Sequence, residues 1–310
     1  MNLPITQSEA WYKLQKDLDE ESILKIDGAY QYLAIQKHTP IGGYYYCPYG
    51  PVADNKTDFK KALDSLLKET KNKDSVFVRI EPQNTDFISL LPKNAVKTKD
   101  LNPKETWVLD LDGTSEELHQ KFPSRLLRYY KNAKKKGITI ETSHQPKDIK
   151  YLLDLQQALA KKKGINTFSA HYLETELKQP FATLYLVKYN NPETNQIEIV
   201  AAGLVFDDEK IRYNLQGAQS DIGRKLHATG ILTIKLIEDA KEKGLSIFDF
   251  WGIAPERAPK DHPWAGFTNF KKTFSGRQID YAGTYDIPLK PFKYRLYQLL
   301  RKINLKRRKI

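Results

Sequence analysis

Lys271 lies in the stretch FTNFKKTFSGR, Phe267 to Arg277, where two lysines and an arginine are set among three phenylalanines. Phe270 and Phe274 are four residues apart and share a helix face, and Lys271 sits about a quarter of a turn away, at the edge of that face. A cation so placed is either a solvated surface group or part of a pocket wall where negative charge develops. In the second case it would stabilise an oxyanion in an acyl transfer.

Other chemistries leave no trace. The six histidines are scattered, and the one cysteine, Cys47, has no ligand partner at metal spacing and no nearby basic group to make it a nucleophile. Phosphate loops of the GxxxxGK[ST] and GxGxxG types are missing, as is a GxSxG elbow. The residues therefore point to a reaction that joins already activated substrates without a metal or a bound cofactor, the protein supplying position and charge. The one near-match to a cofactor loop is QSDIGRKLHATG, Gln219 to Gly230. If Gly223 is the first glycine of a coenzyme A pyrophosphate loop, Lys225 occupies the second small position and would crowd the phosphates.

The elements that must position Lys271 alternate between helices and strands. TDFKKALDSLLKETKNK puts Phe59, Leu63, Leu66 and Leu67 on one helical stripe, SVFVRIEP is a short strand stopped by Pro82, and TWVLDL is another strand. Thr114 and Glu117 form a capping box for the next helix. PKDIKYLLDLQQALAKKKG reads as a helix closed by Gly164, followed by a hairpin turning at NNPETN. KIRYNLQGA is a strand, ATGILTIKLIEDAKEKG a helix ending at Gly244, and SIFDFWG a strand. The pattern predicts a mixed α/β fold with antiparallel pieces, and 310 residues predict two domains.

The net charge of +12 suggests a polyanionic partner: RNA, an anionic membrane surface or phosphorylated substrates. From Lys121 to Lys136 there are seven basic residues and no acidic one, and from Lys290 to the end nine basic and no acidic. The terminal run includes PFKYRLYQLLRKI, with an apolar stripe through Tyr294, Tyr297, Leu300 and Ile303. No run of about 18 apolar residues occurs. The expected location is the cytoplasm, with peripheral contact at the inner face of the membrane.

Seven segments, in order along nearly the whole chain, together resemble the Fem family, the FemA-, FemB- and FemX-like enzymes that build peptidoglycan interpeptide bridges. They are QSEAW, YGPV (Tyr49–Val52), VRIEP (Val78–Pro82), Val108 to Glu141 with its strand and basic helix, AKEKGLSIFDFWGI, NFKKTFSG and YAGTYDIPL. The resemblance implies two tandem acetyltransferase-like (GNAT-like) domains, the first over residues 1–104 plus 282–310 and the second over 105–281, in the short form without a coiled-coil arm. It implies transfer of an amino acid from aminoacyl-tRNA to the stem-peptide amine of a peptidoglycan precursor.

On that resemblance Lys271 is the cation beside the oxyanion, kept charged by an ordinary lysine pKa near roughly 10.4, and Lys272 is its solvated neighbour. Glu81, in RIEP, is the acceptor-side carboxylate, a base or an orienter of the amine. Tyr172, Tyr213, Trp251 and Lys16 are expected to contact substrate. Arg125, Arg128, Lys131, Lys134, Lys135 and Lys136 are expected to contact tRNA phosphates.

Gln15, Phe168 and Leu215 stand where members that use UDP-MurNAc-pentapeptide carry a lysine, an arginine and a tyrosine. These departures and the basic-apolar tail favour a lipid II-type acceptor. A coenzyme A-dependent N-acyltransferase on the same fold, and a non-catalytic RNA- or membrane-binding protein, remain the alternatives.

Overall fold

The computed structural model describes residues 3–163 and 167–307. The chain divides into two compact units, residues 1–104 with 280–310 and residues 105–279. Gly164, the expected helix stop, lies outside the described residues.

The first unit opens with α1 (Glu9–Asp17), capped by Ser8, whose hydroxyl accepts the Trp11 N–H. An antiparallel meander follows: β1 (Ser22–Asp27), β2 (Tyr30–Thr39) and β3 (Gly42–Cys47), with the short β4 (Val52–Ala53) on β2. α2 (Lys56–Asn72) starts at Asn55, whose side chain accepts the Asp58 N–H, and buries Phe59, Leu63 and Leu66 against the sheet. It leads into β5 (Phe77–Ile80), which lies parallel to β3, and β6 (Val96–Lys97) follows at the sheet edge.

The second unit repeats this plan. β7 (Glu105–Asp110) precedes α3 (Ser115–Gln120), where the expected Thr114–Glu117 capping box is formed in both directions, and α4 (Ser124–Lys131). β8 (Ile138–Ser143), α5 (Ile149–Lys163) and α6 (Ala170–Leu177) lead to the hairpin β9 (Ala182–Asn191) and β10 (Gln196–Asp207), then β11 (Ile211–Gln219). α7 (Asp221–Lys225) and α8 (Ala228–Glu242) carry the chain to β12 (Ile247–Gly252), parallel to β11. α8 is apolar on most of its surface because it is buried most of the way round, and Gly244 ends it at φ +79°, where a side chain would be strained. α9 (Ala265–Lys272) and the edge strand β13 (Arg277–Asp280) complete a sheet ordered β13-β7-β12-β11-β10-β9-β8.

The chain then returns to the first unit as β14 (Tyr285–Pro288), between β5 and β6, and α10 (Pro291–Arg307). β14 brings Asp286 to Arg79 on β5. The guanidinium donates Nε to Oδ1 at 2.6 Å and Nη2 to Oδ2 at 2.9 Å, with both side chains almost fully buried. The Tyr294 hydroxyl donates to the same carboxylate at 2.9 Å, and Tyr297 accepts from Arg79 at 3.2 Å. These bonds correct the expected stripe on the terminal helix. Tyr294 is buried at 3% exposure and Tyr297 is half-buried, so the tyrosines face the sheet and the core residue Phe77.

Candidate active site

The second unit gathers its chemistry at the carboxyl end of the parallel pair β11–β12, where Tyr213 lies opposite Asp249. The pairing of β12 with β7 slips between Asp249 and Gly252. Inside this irregularity Trp251 takes a left-handed φ of +66°, sparsely populated for a bulky residue. The buried Asp249 carboxylate helps to hold it there, accepting the Trp251 N–H at 2.7 Å. Trp251 stands edge-on to Tyr213, ring centroids 6.2 Å apart, and the Tyr213 hydroxyl donates to Asp208 at 2.9 Å.

α9 delivers Lys271 to the same place. Phe274 is fully buried and Phe270 packs on it at 5.3 Å, which fixes the last turn of the helix. Thr268 accepts the Ala254 N–H at 2.8 Å and ties the helix to the segment after β12. Gly276, at φ +101°, then lets the chain pass within reach of the β7 backbone, where a Cβ would lie 2.2 Å from the Val108 carbonyl. Lys271 is half-buried, and its Nζ donates to the Gly252 carbonyl at 2.6 Å. Lys272 is exposed, with its ammonium over the Trp107 ring.

The expectation of an ordinary pKa for Lys271 needs correction. Burial lowers it to about 8, while the negative charge of Asp249 pulls the other way. Burial likewise raises Asp249 to about 7, offset by the Trp251 N–H and the Lys271 charge. Near neutral pH the site thus holds an ammonium in a partly dehydrated slot, beside a carboxylate poised to ionise. Asp249 is the group the sequence reading missed; its one signal is an acid in the middle of an apolar strand, IFDFW.

Tyr172 stacks on Phe168 at 5.1 Å and shares a hydrogen bond with Glu176. Glu176, also missed, is buried and pushed up to about 8 by burial, and it accepts from Gln216 at 2.9 Å. It reads in sequence as an ordinary solvent-facing glutamate on a helix.

In the first unit Glu81 follows β5 and is buried at 2% exposure. Five donors converge on its carboxylate: the Tyr46 hydroxyl at 2.7 Å, Thr284 Oγ1 at 2.8 Å, both nitrogens of Asn102 at 2.9 and 3.1 Å, and the Tyr49 N–H at 3.4 Å. A carboxylate offers about four lone-pair directions, so this one serves as a brace. Lys16 is exposed in the last turn of α1, its ammonium over the Tyr12 ring at 4.7 Å, whereas Gln15 is buried. Cys47 is fully buried, and desolvation pushes its thiol well above the usual range.

Arg125, Arg128 and Lys131 lie on α4, and Lys134, Lys135 and Lys136 form the turn after it; all six are exposed. Arg125, Arg128 and Lys136 surround the ring of Tyr129, at 5.5, 5.9 and 5.2 Å from its centroid. Tyr129 stacks on His227 at 4.3 Å and 11°. Burial and the charges of Arg125 and Lys136 hold the His227 pKa below its usual value. Neither ring was anticipated from the sequence.

The coenzyme A-loop near-match forms α7. Gly223 donates its N–H to Ser220 Oγ at 3.0 Å, and a Cβ on it would lie 2.1 Å from the Val200 carbonyl. This glycine serves packing against β10, and its N–H is already engaged.

Residues 175–302 match the FemAB family model. The chain is 27% identical over 111 residues to the aminoacyltransferase FemA of Staphylococcus epidermidis; the aligned part is 35% of this chain and 26% of that protein, so it spans about a quarter of the relative. The crystal structure of FemX superposes with a TM-score of 0.79 at 19% identity, over 94% of each chain. A tandem GNAT protein of the clavulanic acid biosynthesis pathway superposes at 0.53 with 9% identity, over 86% of this chain and 83% of that one. Both superpositions show the fold, two acetyltransferase-like units in tandem.

Proposed function

We propose that the chain acts as a FemAB-type enzyme, a reading supported by the match of residues 175–302 to that family's model, and that it transfers an amino acid from aminoacyl-tRNA to the stem-peptide amine of a peptidoglycan precursor. The observation that carries this reading is the half-buried Lys271 ammonium, fixed by Gly252 beside Tyr213 and Trp251.

The acceptor nitrogen attacks the ester carbonyl carbon, and the electron pair moves onto oxygen. Lys271 stabilises that oxyanion. When the intermediate collapses, the bond to the tRNA 3′-terminal ribose oxygen breaks, and the proton lost by the amine passes to that oxygen. An amide and a free tRNA hydroxyl result. An aminoacyl ester is already activated, so alignment and charge suffice. Glu81 acts as a positioning residue that fixes Tyr46, Asn102 and Thr284 on the acceptor side. Tyr172, Trp251 and Lys16 contact substrate in this proposal, whereas Tyr213, expected to do the same, is 4% exposed and backs the Trp251 ring from within the core.

The cationic surface around Tyr129 carries the tRNA. Three charges ringing a stacked aromatic pair suit phosphates together with an unpaired base. The acceptor is lipid-linked: Gln15, at the position of the phosphate-binding lysine, is buried, and Phe168 and Leu215 replace the other two expected contacts.

Binding of charged tRNA should weaken steeply between 50 and 200 mM salt. Replacing Arg125, Arg128 and Lys136 by alanine should lower the log–log salt slope by about 2–3 and the affinity by at least about tenfold. Filter binding measures both. A slope unchanged by the three substitutions would place the tRNA elsewhere, and a thermal shift with acetyl-CoA comparable to that with tRNA would favour the coenzyme A-dependent reaction.

A further inference from the structure

The outer face of α10 is unlike the rest of the surface. Phe292 is 83% exposed, Leu296 42%, Leu299 54% and Ile303 39%. Steps of four, three and four residues place them in one stripe. They are four of the ten exposed large hydrophobic residues among the described residues. The opposite side of the helix is engaged: Tyr294 and Tyr297 bond to the Arg79–Asp286 pair, and Arg301 donates to Thr98 Oγ1 at 2.7 Å. The stripe therefore has no place in the core of its own unit.

Charge narrows the choice of occupant. At about 100° per residue, Lys293 lies on one flank of the stripe and Arg295 and Lys302 on the other, each about 70–100° from its centre. All three are exposed. No acidic residue occurs from Lys290 to the end of the chain, against nine basic ones. An apolar ridge with cations on both flanks matches a layered partner, apolar within and anionic at the level of the cations. A lipid leaflet has that layering. An RNA offers anions without the apolar layer.

We propose that this face of α10 docks the protein on an anionic lipid surface, with Phe292, Leu296, Leu299 and Ile303 entering the acyl boundary and Lys293, Arg295 and Lys302 at the headgroups. The inference stands on the helix itself. The lipid-linked acceptor proposed above gives it a use, and a vesicle assay containing neither tRNA nor acceptor tests the docking separately.

The full chain is sedimented with vesicles of phosphatidylcholine alone or with about one-third phosphatidylglycerol. Binding should be at least about tenfold stronger to the anionic vesicles and should fall with added salt. The combined variant Phe292→Ser, Leu296→Ser and Leu299→Ser should lose at least about tenfold in affinity while keeping its Tm, since all three side chains are exposed. Lys293→Gln with Arg295→Gln and Lys302→Gln should remove most of the preference for anionic lipid. Equal, negligible binding to both vesicles would overturn the proposal. So would serine variants that bind like the parent, or a concentration-dependent dimer that the serine substitutions abolish, which would make a second copy the occupant.

Discussion

Replacing Lys271 by methionine should lower kcat for aminoacyl transfer by about 10²–10³-fold with little change in Tm. Methionine keeps the unbranched shape and the apolar contacts but loses the charge and the bond to the Gly252 carbonyl. The same group sets an alkaline limit. With the cation as the active form, as proposed, and its pKa lowered to about 8, the rate should be sustained below that pH. Above it, the rate should fall roughly tenfold per pH unit as the neutral amine replaces the ammonium. Asp249 opposes the lowering, so Asp249→Asn should move this limb to lower pH while preserving an acceptor for the Trp251 N–H. A Lys271→Met enzyme of undiminished kcat, or an Asp249→Asn limb that stays put, would remove the oxyanion role. Both quantities come from initial rates across pH.

Asp286→Ala should destabilise the first unit by about 3–5 kcal/mol, because it strands a buried guanidinium. Arg79 is 3% exposed, and it loses both of its bonds to the carboxylate, while Tyr294 loses the acceptor for its hydroxyl. The attachment of α10 to the sheet should loosen with it. Hydrogen exchange on the intact chain reads this directly, as faster exchange in β5, β14 and α10 with the second unit unchanged. The double replacement Arg79→Met with Asp286→Leu should recover much of the loss, because neither charge is then left alone. A loss below about 1 kcal/mol in Asp286→Ala would mean that the pair does not hold the helix.

Much of the fold was legible because local signals agreed with the tertiary plan. The stripe Phe59, Leu63, Leu66 became the buried face of α2, the Thr114–Glu117 spacing became a complete capping box, and Gly244 ended α8. The NNPETN turn joined β9 to β10. The site was only half legible. Lys271 stood out by its setting among phenylalanines, but its lowered pKa depends on burial that spacing does not reveal. Asp249 escaped notice because a single carboxyl among apolar neighbours looks the same in sequence whether it faces solvent or the core, and Glu176 because its polar neighbours Glu174, Thr175 and Lys178 make it read as solvent-facing. The left-handed Trp251 carries no signal of its own, since the strain is imposed by the slipped pairing of β12.

The terminal helix shows why periodicity misled. α10 has apolar residues on two opposite faces, and hydropathy alone does not say which one is inside. The choice is made by the Arg79–Asp286 pair, whose members are 207 residues apart in the chain. The tyrosines can satisfy their hydroxyls on that pair, while Phe292, Leu296 and Leu299, which have nothing to donate, are left outside.

Aminoacyl transfer itself is read out by incubating the protein with a mixture of charged tRNAs and either lipid II or UDP-MurNAc-pentapeptide, then weighing the products. A lipid-linked product heavier by one or more amino-acid residues is expected, formed only when the tRNA is charged and greatly diminished with Lys271→Met. No mass gain on either acceptor, or a gain that does not require the tRNA to be charged, would contradict it.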